Sequence, residues 1–465
     1  MSSTENAFTW RSRSAFVIVA AGATLGLNDF LTFPVLAVHN GGGAFLILYI
    51  LFLFVLGLPL LMGELLLGRL TRSDPSDCLR ILAEQHKASV YWDLVGLASM
   101  FAAFLILSTF SVVAGWSLAY TVRAAIGMFN GVTLEDARLL FQALTFDSER
   151  MALWHTLFVV LLVAISAQPP ARGIERAMLV LVPTMVLLLL IGLLVALFSG
   201  GMATSIASIL HADFGAIDAH TPLLALQRAF YTLALGLGVM IALGRYLPEN
   251  IPLGYSAALV VTVDLLFSIV TGLSINALLF SAGQEPGIDS QFAFRIMPVI
   301  LDRFSSGSLF TTLFFMLMAI ASLTTSIALI EAPITYLERR RGYSRLRAAT
   351  YLGIAIWLCG LGVVLAHSVW NGDGFSLALF FDEKTVRLVN NAGFHDVLVF
   401  ISSHLIQPLA ALFLCLFVAW KIPRAVSHQT LGLSRHYNFE IWCYLLRYIV
   451  PVLMLVVILA AFGII

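Results

Sequence analysis

Charged side chains are scarce in this chain of 465 residues. Asp, Glu, Lys and Arg make up 11% of it and apolar residues 60%, whereas a soluble domain carries about 25% charged residues. The formal net charge is zero, which argues against a nucleic-acid partner. The chain also lacks HExxH and GxSxG motifs, so nothing predicts an enzyme. The four cysteines, with spacings typical of neither disulfides nor a metal site, are Cys78, Cys359, Cys415 and Cys443.

Long apolar stretches fill most of the chain. Since a helix needs about 20 apolar residues to cross a bilayer, we predict an all-α polytopic membrane protein with eleven transmembrane helices, numbered here in chain order. They cover residues 14–37, 43–70, 92–125, 153–170, 174–198, 222–246, 253–283, 307–338, 348–369, 394–420 and 441–465. Eighteen of the 26 Lys and Arg then lie on the side of the N-terminus. The positive-inside rule therefore predicts a protein of the cell (inner) membrane with a cytoplasmic N-terminus and an extracytoplasmic C-terminus.

Two of these helices are interrupted. Residues 22–34 read GATLGLNDFLTFP, with a break at 22–26, and helix six breaks near residues 235–238. Broken helix is tolerated in a membrane only where it faces protein or a cavity, and paired glycine-interrupted helices in two halves of opposite topology indicate an inverted-repeat transporter. We predict four parts: an N-terminal segment 1–13, a first repeat 14–198, a second repeat 199–420, and helix eleven with the C-terminus at 421–465.

Motifs along nearly the whole chain resemble those of the neurotransmitter:sodium symporter family. The matching segments include NGGGAF at 40–45, GLP at 57–59 with Glu64, GIER at 173–176, FYT at 230–232 and LTTS at 323–326. The resemblance implies the leucine-transporter fold, with a 5+5 inverted repeat and unwound helices one and six. It also implies Na⁺-coupled secondary active symport of a small organic solute by alternating access. The expected partners are the solute, Na⁺ and the lipid bilayer, and we expect a monomer or weak oligomer.

Other classes fit the sequence less well. A channel needs a continuous polar pore, whereas the few intramembrane charges of this chain converge near the middle of the membrane. A substrate-sensing receptor built on a transporter fold stays open as an alternative.

The resemblance implies two sodium sites. The second site maps to the carbonyl groups of Gly22, Leu25 and Ala321 and the hydroxyl groups of Thr324 and Thr325. Na⁺ is a hard cation that prefers such oxygens. The alternative is that both threonines only bond to the backbone of their own helix, as is common in membranes.

The first sodium site is altered, because Asp29 stands where the family usually has Asn. Its positions are the Thr24 carbonyl, Asp29, Thr232 and Asp264. The anion site of chloride-dependent members maps to Tyr49, Arg228, Thr232, Asp264 and Ser268. Since Asp264 would repel an anion, we expect that chloride is not required. Arg228 replaces a Gln of the family, and we expect it to face Asp264 or Asp29 because an unpaired intramembrane charge is expensive.

The family's carboxylate-binding elements are changed as well. Asn28 replaces a glycine and Phe110 a tyrosine, while the outer Arg–Asp gate positions hold Thr32 and Val399. We therefore predict a substrate that is not an ordinary α-amino acid. A polar heterocycle such as a purine nucleobase is the preferred class, and an amine or a differently held amino acid stays open. The predicted substrate-binding residues are Asn28, Asp29, Phe110, Phe230, Tyr231 and Ser326.

Residues near the cytoplasmic side suggest an inner gate. Trp10 and Tyr246 match gate elements of the family, but the usual Arg–Asp positions hold Ala7 and Arg339. We expect closure to use Arg11 or Arg13 with Glu338 instead. Glu64 is expected to bond backbone groups freed by the breaks. Three histidines are expected to have structural or loop roles: His220, His395 and His404.

Overall fold

The computed structural model describes residues 8–287, 291–370, 374–381, 384–433 and 435–463. Within these ranges, nine continuous helices are long and apolar enough to cross a membrane. They are Gly43–Thr71, Val90–Ala125, Ser148–Ser166, Ala171–Leu197, Leu253–Ser281, Gly307–Arg341, Arg345–His367, Phe394–Lys421 and His436–Ala461. A bent pair, Arg13–Thr24 with Leu27–His39, forms helix one. The short helices Thr221–Thr232 and Val239–Gly244 form the two halves of helix six, which completes the predicted order of eleven.

Shorter elements connect the membrane helices. The connecting helices are Pro75–Gln85, Leu134–Thr145, Met202–Leu210, Phe214–Ala216, Phe292–Arg295, Met297–Asp302 and Arg424–Leu431. The exception to the all-helical prediction is an antiparallel hairpin of strands Phe375–Phe381 and Lys384–Ala392, which follows helix nine.

Helix one is interrupted over only two residues. It is helical through Thr24, and Leu25 and Gly26 are extended before the chain turns by 54° into the second half. The Asp29 carboxylate accepts a hydrogen bond from the Gly26 N–H at 3.1 Å, which caps the restarted helix as in a capping box. The break is therefore shorter than the predicted interval 22–26, and it frees carbonyl groups at the end of the first half.

Helix six is interrupted over a longer segment. Positive φ angles occur at Ala234 (51°), Gly236 (77°) and Gly238 (71°). A Cβ atom at Gly236 would lie 2.4 Å from the Gln407 carbonyl oxygen, so both the conformation and the space require glycine there. The freed Gly236 N–H donates to the Glu64 carboxyl group at 2.7 Å, as predicted for Glu64.

Burial separates interior from peripheral helices. The most apolar stretch of helix eight is 72% buried, whereas those of helices four, five and eleven are 28% buried. Helix eight packs along helix three, and the first half of helix one packs against helices five, seven and eight. Both breaks thus lie in the interior, and helices four, five and eleven present their apolar side chains to lipid.

Candidate transport site

A cavity of about 520 Å³ lies where the two breaks meet. It is the place at which side chains of helices one, three, six, eight and ten converge. Its lining includes Thr24, Gly26, Asn28, Asp29, Thr32, Phe110, Arg228, Tyr231, Thr232, Thr325, Ser403, His404 and Gln407. Thr24, Asp29 and Thr325 belong to the two predicted sodium sites, so these sites border one cavity.

The five residues predicted for the second sodium site are brought together. The Thr325 hydroxyl donates across to the Leu25 carbonyl of helix one at 3.3 Å. The Thr324 hydroxyl donates to the Ala321 carbonyl of its own helix at 3.0 Å, which is the bond that the alternative interpretation expects for this residue. A Cβ atom at Gly22 would lie 3.7 Å from the Thr324 Cβ, and nearer to the side chains of Val182 at 2.5 Å and Met178 at 3.2 Å. The cluster consists of carbonyl and hydroxyl oxygens, which are the ligand atoms that suit a hard monovalent cation.

Asp29 is the centre of a charged cluster on the other side of the break. Its Oδ1 forms an ion pair with Arg228 and accepts a hydrogen bond from Ser268 at 2.7 Å. Its Oδ2 accepts the Gly26 N–H. The side chains of Asp29 and Arg228 are 1% and 3% exposed, so the pair is buried. Of the two predicted partners, Arg228 therefore pairs with Asp29.

Asp264 is engaged separately. Both of its carboxylate oxygens lie near the Thr232 hydroxyl, at 3.1 and 3.3 Å. The Thr24 hydroxyl donates to the Ala21 carbonyl of its own helix. The buried Tyr49 hydroxyl has no hydrogen-bond partner within the described ranges. Most side chains mapped to the first sodium site and to the anion site are therefore bonded to protein groups.

The predicted substrate-binding residues divide into two groups. Asn28 is exposed at the start of the second half of helix one and lines the cavity, as do the partly buried rings of Phe110 and Tyr231. Phe230 and Ser326 are fully buried away from the lining, which corrects their predicted placement.

The physical reasons for these corrections differ. Phe230 packs its ring against that of Tyr231, with centroids 5.0 Å apart, and Ser326 bonds back to the Ser322 carbonyl at 2.7 Å. Asp29 borders the cavity, but both of its oxygens already have protein partners. His404 was expected to be structural and instead lines the cavity.

Trp10 and Tyr246 meet on the side of the membrane that holds the N-terminus. The Trp10 indole donates to the Leu243 carbonyl at 3.0 Å, and the Trp10 N–H donates to the Tyr246 carbonyl at 3.1 Å. Their ring centroids are 5.4 Å apart, and the Tyr246 hydroxyl donates to Glu331 at 2.8 Å. These contacts tie the start of helix one to helices six and eight and close this side of the protein.

The ion pairs expected at this gate are wrong. Arg11 pairs with Glu175 at 3.2 Å, and Glu338 pairs with Arg345 at 3.6 Å. Arg13 lies over the ring of Tyr255. Arg11 precedes helix one and Arg13 is its first residue, and they reach helices five and seven rather than helix eight.

Glu331 is the gate residue that the sequence interpretation missed. It is fully buried, and Arg345 binds its carboxylate through two hydrogen bonds, at 2.6 and 3.2 Å. An acidic residue inside the apolar helix eight was the available signal, since such a charge needs a partner. Of the two family gate positions, Arg339 bonds to Ser73 at 2.6 Å, and Ala7 lies outside the described residues.

The family assignment follows from comparison with known proteins. The model of the Sodium:neurotransmitter symporter family matches residues 8–129 and 145–460. This chain belongs to that family. It is therefore a membrane transporter rather than an enzyme, and its transport of a small solute is coupled to sodium.

Two nearly full-length similarities support the assignment. The uncharacterized sodium-dependent transporter YhdH of Bacillus subtilis (strain 168) is 30% identical over 461 residues, 98% of each chain. The crystal structure of MhsT in complex with L-phenylalanine is 29% identical in sequence, with a TM-score of 0.85, covering 98% of this chain and 99% of that one. The fold predicted from the sequence, with its two broken helices, is thereby confirmed.

The comparisons include a chloride-dependent family member. The sodium- and chloride-dependent GABA transporter ine of Drosophila melanogaster is 34% identical over 111 residues, 24% of this chain and 11% of that protein. Family membership alone therefore does not decide whether this transporter uses chloride.

Proposed function

We propose that this transporter imports a small organic solute together with Na⁺ bound at the second sodium site. The observation that carries the proposal is the Thr325 hydroxyl 3.3 Å from the Leu25 carbonyl, across the gap between helices eight and one. An ion held by both helices would stabilise the arrangement in which the N-terminal side is closed. Its release would let helix one move away from helix eight.

The Na⁺ gradient supplies the driving force for this cycle. Moving one charge through about 100 mV is worth about 2.3 kcal/mol. Import also requires the orientation that the basic residues favour, with the N-terminus in the cytoplasm. We propose this orientation, in the cell membrane, together with the repeat boundaries 14–198 and 199–420.

We further propose that chloride is not required. Ser268 and Arg228 stand at positions mapped to the anion site, and both donate to the Oδ1 atom of Asp29. A carboxylate that accepts from these two donors already supplies the negative charge of a bound anion. An added chloride ion would meet this charge and that of Asp264.

For the solute, we propose a molecule with a flat ring and hydrogen-bonding edges. The exposed Asn28 amide can both donate and accept, and Phe110 and Tyr231 offer ring faces on which a flat molecule stacks. Because Asp29 is engaged within the protein, the recognition of a cationic amine by this carboxylate loses support. A polar heterocycle such as a purine nucleobase is the first class to test.

An aromatic amino acid is the second candidate. It is favoured by the similarity to MhsT, whose structure contains L-phenylalanine. Asn28 and Phe110 oppose it, because they replace a glycine and a tyrosine expected to hold the substrate carboxylate.

A ligand screen followed by uptake tests these proposals. The thermal unfolding midpoint of the purified protein is measured with nucleobases, amines and amino acids, each in Na⁺ and in K⁺, and each stabilising compound is then tested for uptake into proteoliposomes. We expect Na⁺-dependent stabilisation by a heterocycle, weakened at least tenfold in affinity by Asn28→Ala. The matched control is Ser402→Ala, since the Ser402 hydroxyl bonds to its own helix. Stabilisation by amino acids alone would contradict the proposed solute, and uptake independent of Na⁺ would contradict the coupling.

A further inference from the structure

The buried cluster around Asp29 links three membrane helices. Asp29 lies on helix one, Arg228 on helix six and Ser268 on helix seven, and all three meet at one carboxylate oxygen. We infer that the Arg228 guanidinium takes the place of the first sodium ion, so that each molecule binds one Na⁺ rather than two. The inference rests on the proposed symport and specifies its ion count.

The first argument is the occupancy of the Asp29 oxygens. A carboxylate has about four lone-pair directions. Arg228 and Ser268 use Oδ1, and the Gly26 N–H uses Oδ2. The Gly26 bond also caps the second half of helix one, so turning the carboxylate toward an ion would uncap this helix. To bind sodium, Asp29 would therefore have to give up hydrogen bonds that hold helices one, six and seven together.

The second argument is the charge already present. A guanidinium stays protonated in proteins, and Arg228 is held inside the cluster by its own helix. A sodium ion bound to Asp29 would lie beside this fixed cation, and like charges at such distances repel strongly where water is excluded. Arg228 neutralises Asp29 permanently, without an ion from solution.

The third argument concerns the remaining oxygens. Without Asp29, the predicted first site retains Asp264, Thr232 and the Thr24 carbonyl. The Thr232 hydroxyl is bonded to Asp264, at 3.1 Å from its nearer oxygen. This reduced set comprises one carboxylate, one hydroxyl and one carbonyl, whereas a hard cation binds through several oxygens. The second site differs because, among the described residues, the hydrogen bonds that join its carbonyls and hydroxyls involve no charged side chain.

Binding of radioactive ²²Na⁺ to the purified, solute-free protein tests the inference. Scintillation proximity at saturating ²²Na⁺ counts the ions per molecule. We expect one ion with a Hill coefficient of one, and none in Thr324→Ala/Thr325→Ala. Two ions per wild-type molecule would overturn the inference but leave the proposed symport intact. No bound ion in the wild type would instead contradict the second sodium site, and with it the proposed function.

A paired substitution tests the role of Arg228 itself. Asp29→Asn/Arg228→Gln removes both charges, so neither partner is left unpaired in the interior. We expect this variant to bind a second ion, raising the count from one to two. If the folded variant, checked by size-exclusion chromatography and its melting curve, still binds one, Arg228 is not what excludes the first ion and the inference fails. If the variant does not fold, the wild-type count decides.

Discussion

The two sides of the break in helix one differ in how their polar groups are satisfied. On the side of helix eight, the Thr325 hydroxyl bonds to the Leu25 carbonyl and the Thr324 hydroxyl to the Ala321 carbonyl, so these hydrogen bonds join uncharged groups. On the side of helices six and seven, Asp29 and Arg228 neutralise each other. The comparison teaches that acidic residues alone do not identify a cation site in a membrane. A carboxylate that a buried guanidinium already neutralises attracts a cation from solution much less.

The largest expected effect removes the uncharged cluster. In Thr324→Ala/Thr325→Ala both hydroxyl ligands are lost, and we expect Na⁺-dependent uptake to fall at least a hundredfold. The measurement is solute uptake into proteoliposomes with and without a Na⁺ gradient. Ser322→Ala is the matched control, because this buried hydroxyl of the same helix bonds only to the Met318 carbonyl. If the double variant retained its Na⁺ dependence, the sodium site would not lie on the side of helix eight.

The next effect breaks the charged cluster. Arg228→Gln leaves the Asp29 carboxylate buried without its cation, and breaking a buried pair in this way costs about 3–5 kcal/mol. We expect a large drop in the free energy of unfolding, measured by denaturation in detergent. Asp29→Asn/Arg228→Gln should recover most of the loss, because neither charge remains. Equal stability of wild type and Arg228→Gln would show that the pair is not needed to hold the helices together.

A smaller effect on ion binding is expected from weakening the contacts that close the N-terminal side, because this closed arrangement would stabilise the ion at the proposed second sodium site. Tyr246→Phe removes the hydrogen bond to Glu331, worth about 1 kcal/mol. We expect about fivefold weaker ²²Na⁺ binding, because the closed arrangement that holds the ion becomes less favourable. Tyr255→Phe serves as the control, since Tyr255 is 56% exposed on helix seven. An unchanged ²²Na⁺ affinity would show that the hydrogen bond between Tyr246 and Glu331 does not influence ion binding.

The smallest effect is expected from removing chloride. Since Asp29 already accepts from the donors at the mapped anion positions, replacing chloride by gluconate should change the uptake rate less than twofold. The measurement is uptake at constant Na⁺ in the two salts. A loss of tenfold or more would mean that the charged cluster still needs an external anion.

Much of this arrangement was predictable from the sequence. Glycines and polar residues inside apolar helices predicted both breaks, whereas the threonines proposed for the second site were predicted from the family resemblance. The breaks are a local signal, because unpaired backbone groups within a membrane need an explanation wherever the helix lies. The Glu64 contact with the unwound part of helix six was instead implied by the family resemblance.

Other features depended on side-chain direction and distance in three dimensions. The sequence could not decide which of two carboxylates, Asp29 or Asp264, pairs with Arg228. Nor could it decide that Ser326, one position after Thr325 on the same helix, points away from the cavity. The partners of Arg11 and Glu338 were wrong because they were inferred from position near the same side of the membrane. Their actual partners depend on the relative placement of helices five, eight and nine.

The unwound segment of helix six has a mechanical consequence. Glu64 of helix two binds the Gly236 N–H, and Gln407 of helix ten donates to the adjacent Leu235 carbonyl at 2.9 Å. Two consecutive residues of the unwound backbone are thus hydrogen-bonded to two different helices. If helix two slid past helix ten, at least one of these two hydrogen bonds would be strained. Each of them contributes about 0.5–1.5 kcal/mol. Breaking one of these hydrogen bonds would cost less than the roughly 2.3 kcal/mol that one charge gains in crossing about 100 mV. The segment would thus couple helices two and ten weakly without preventing their movement.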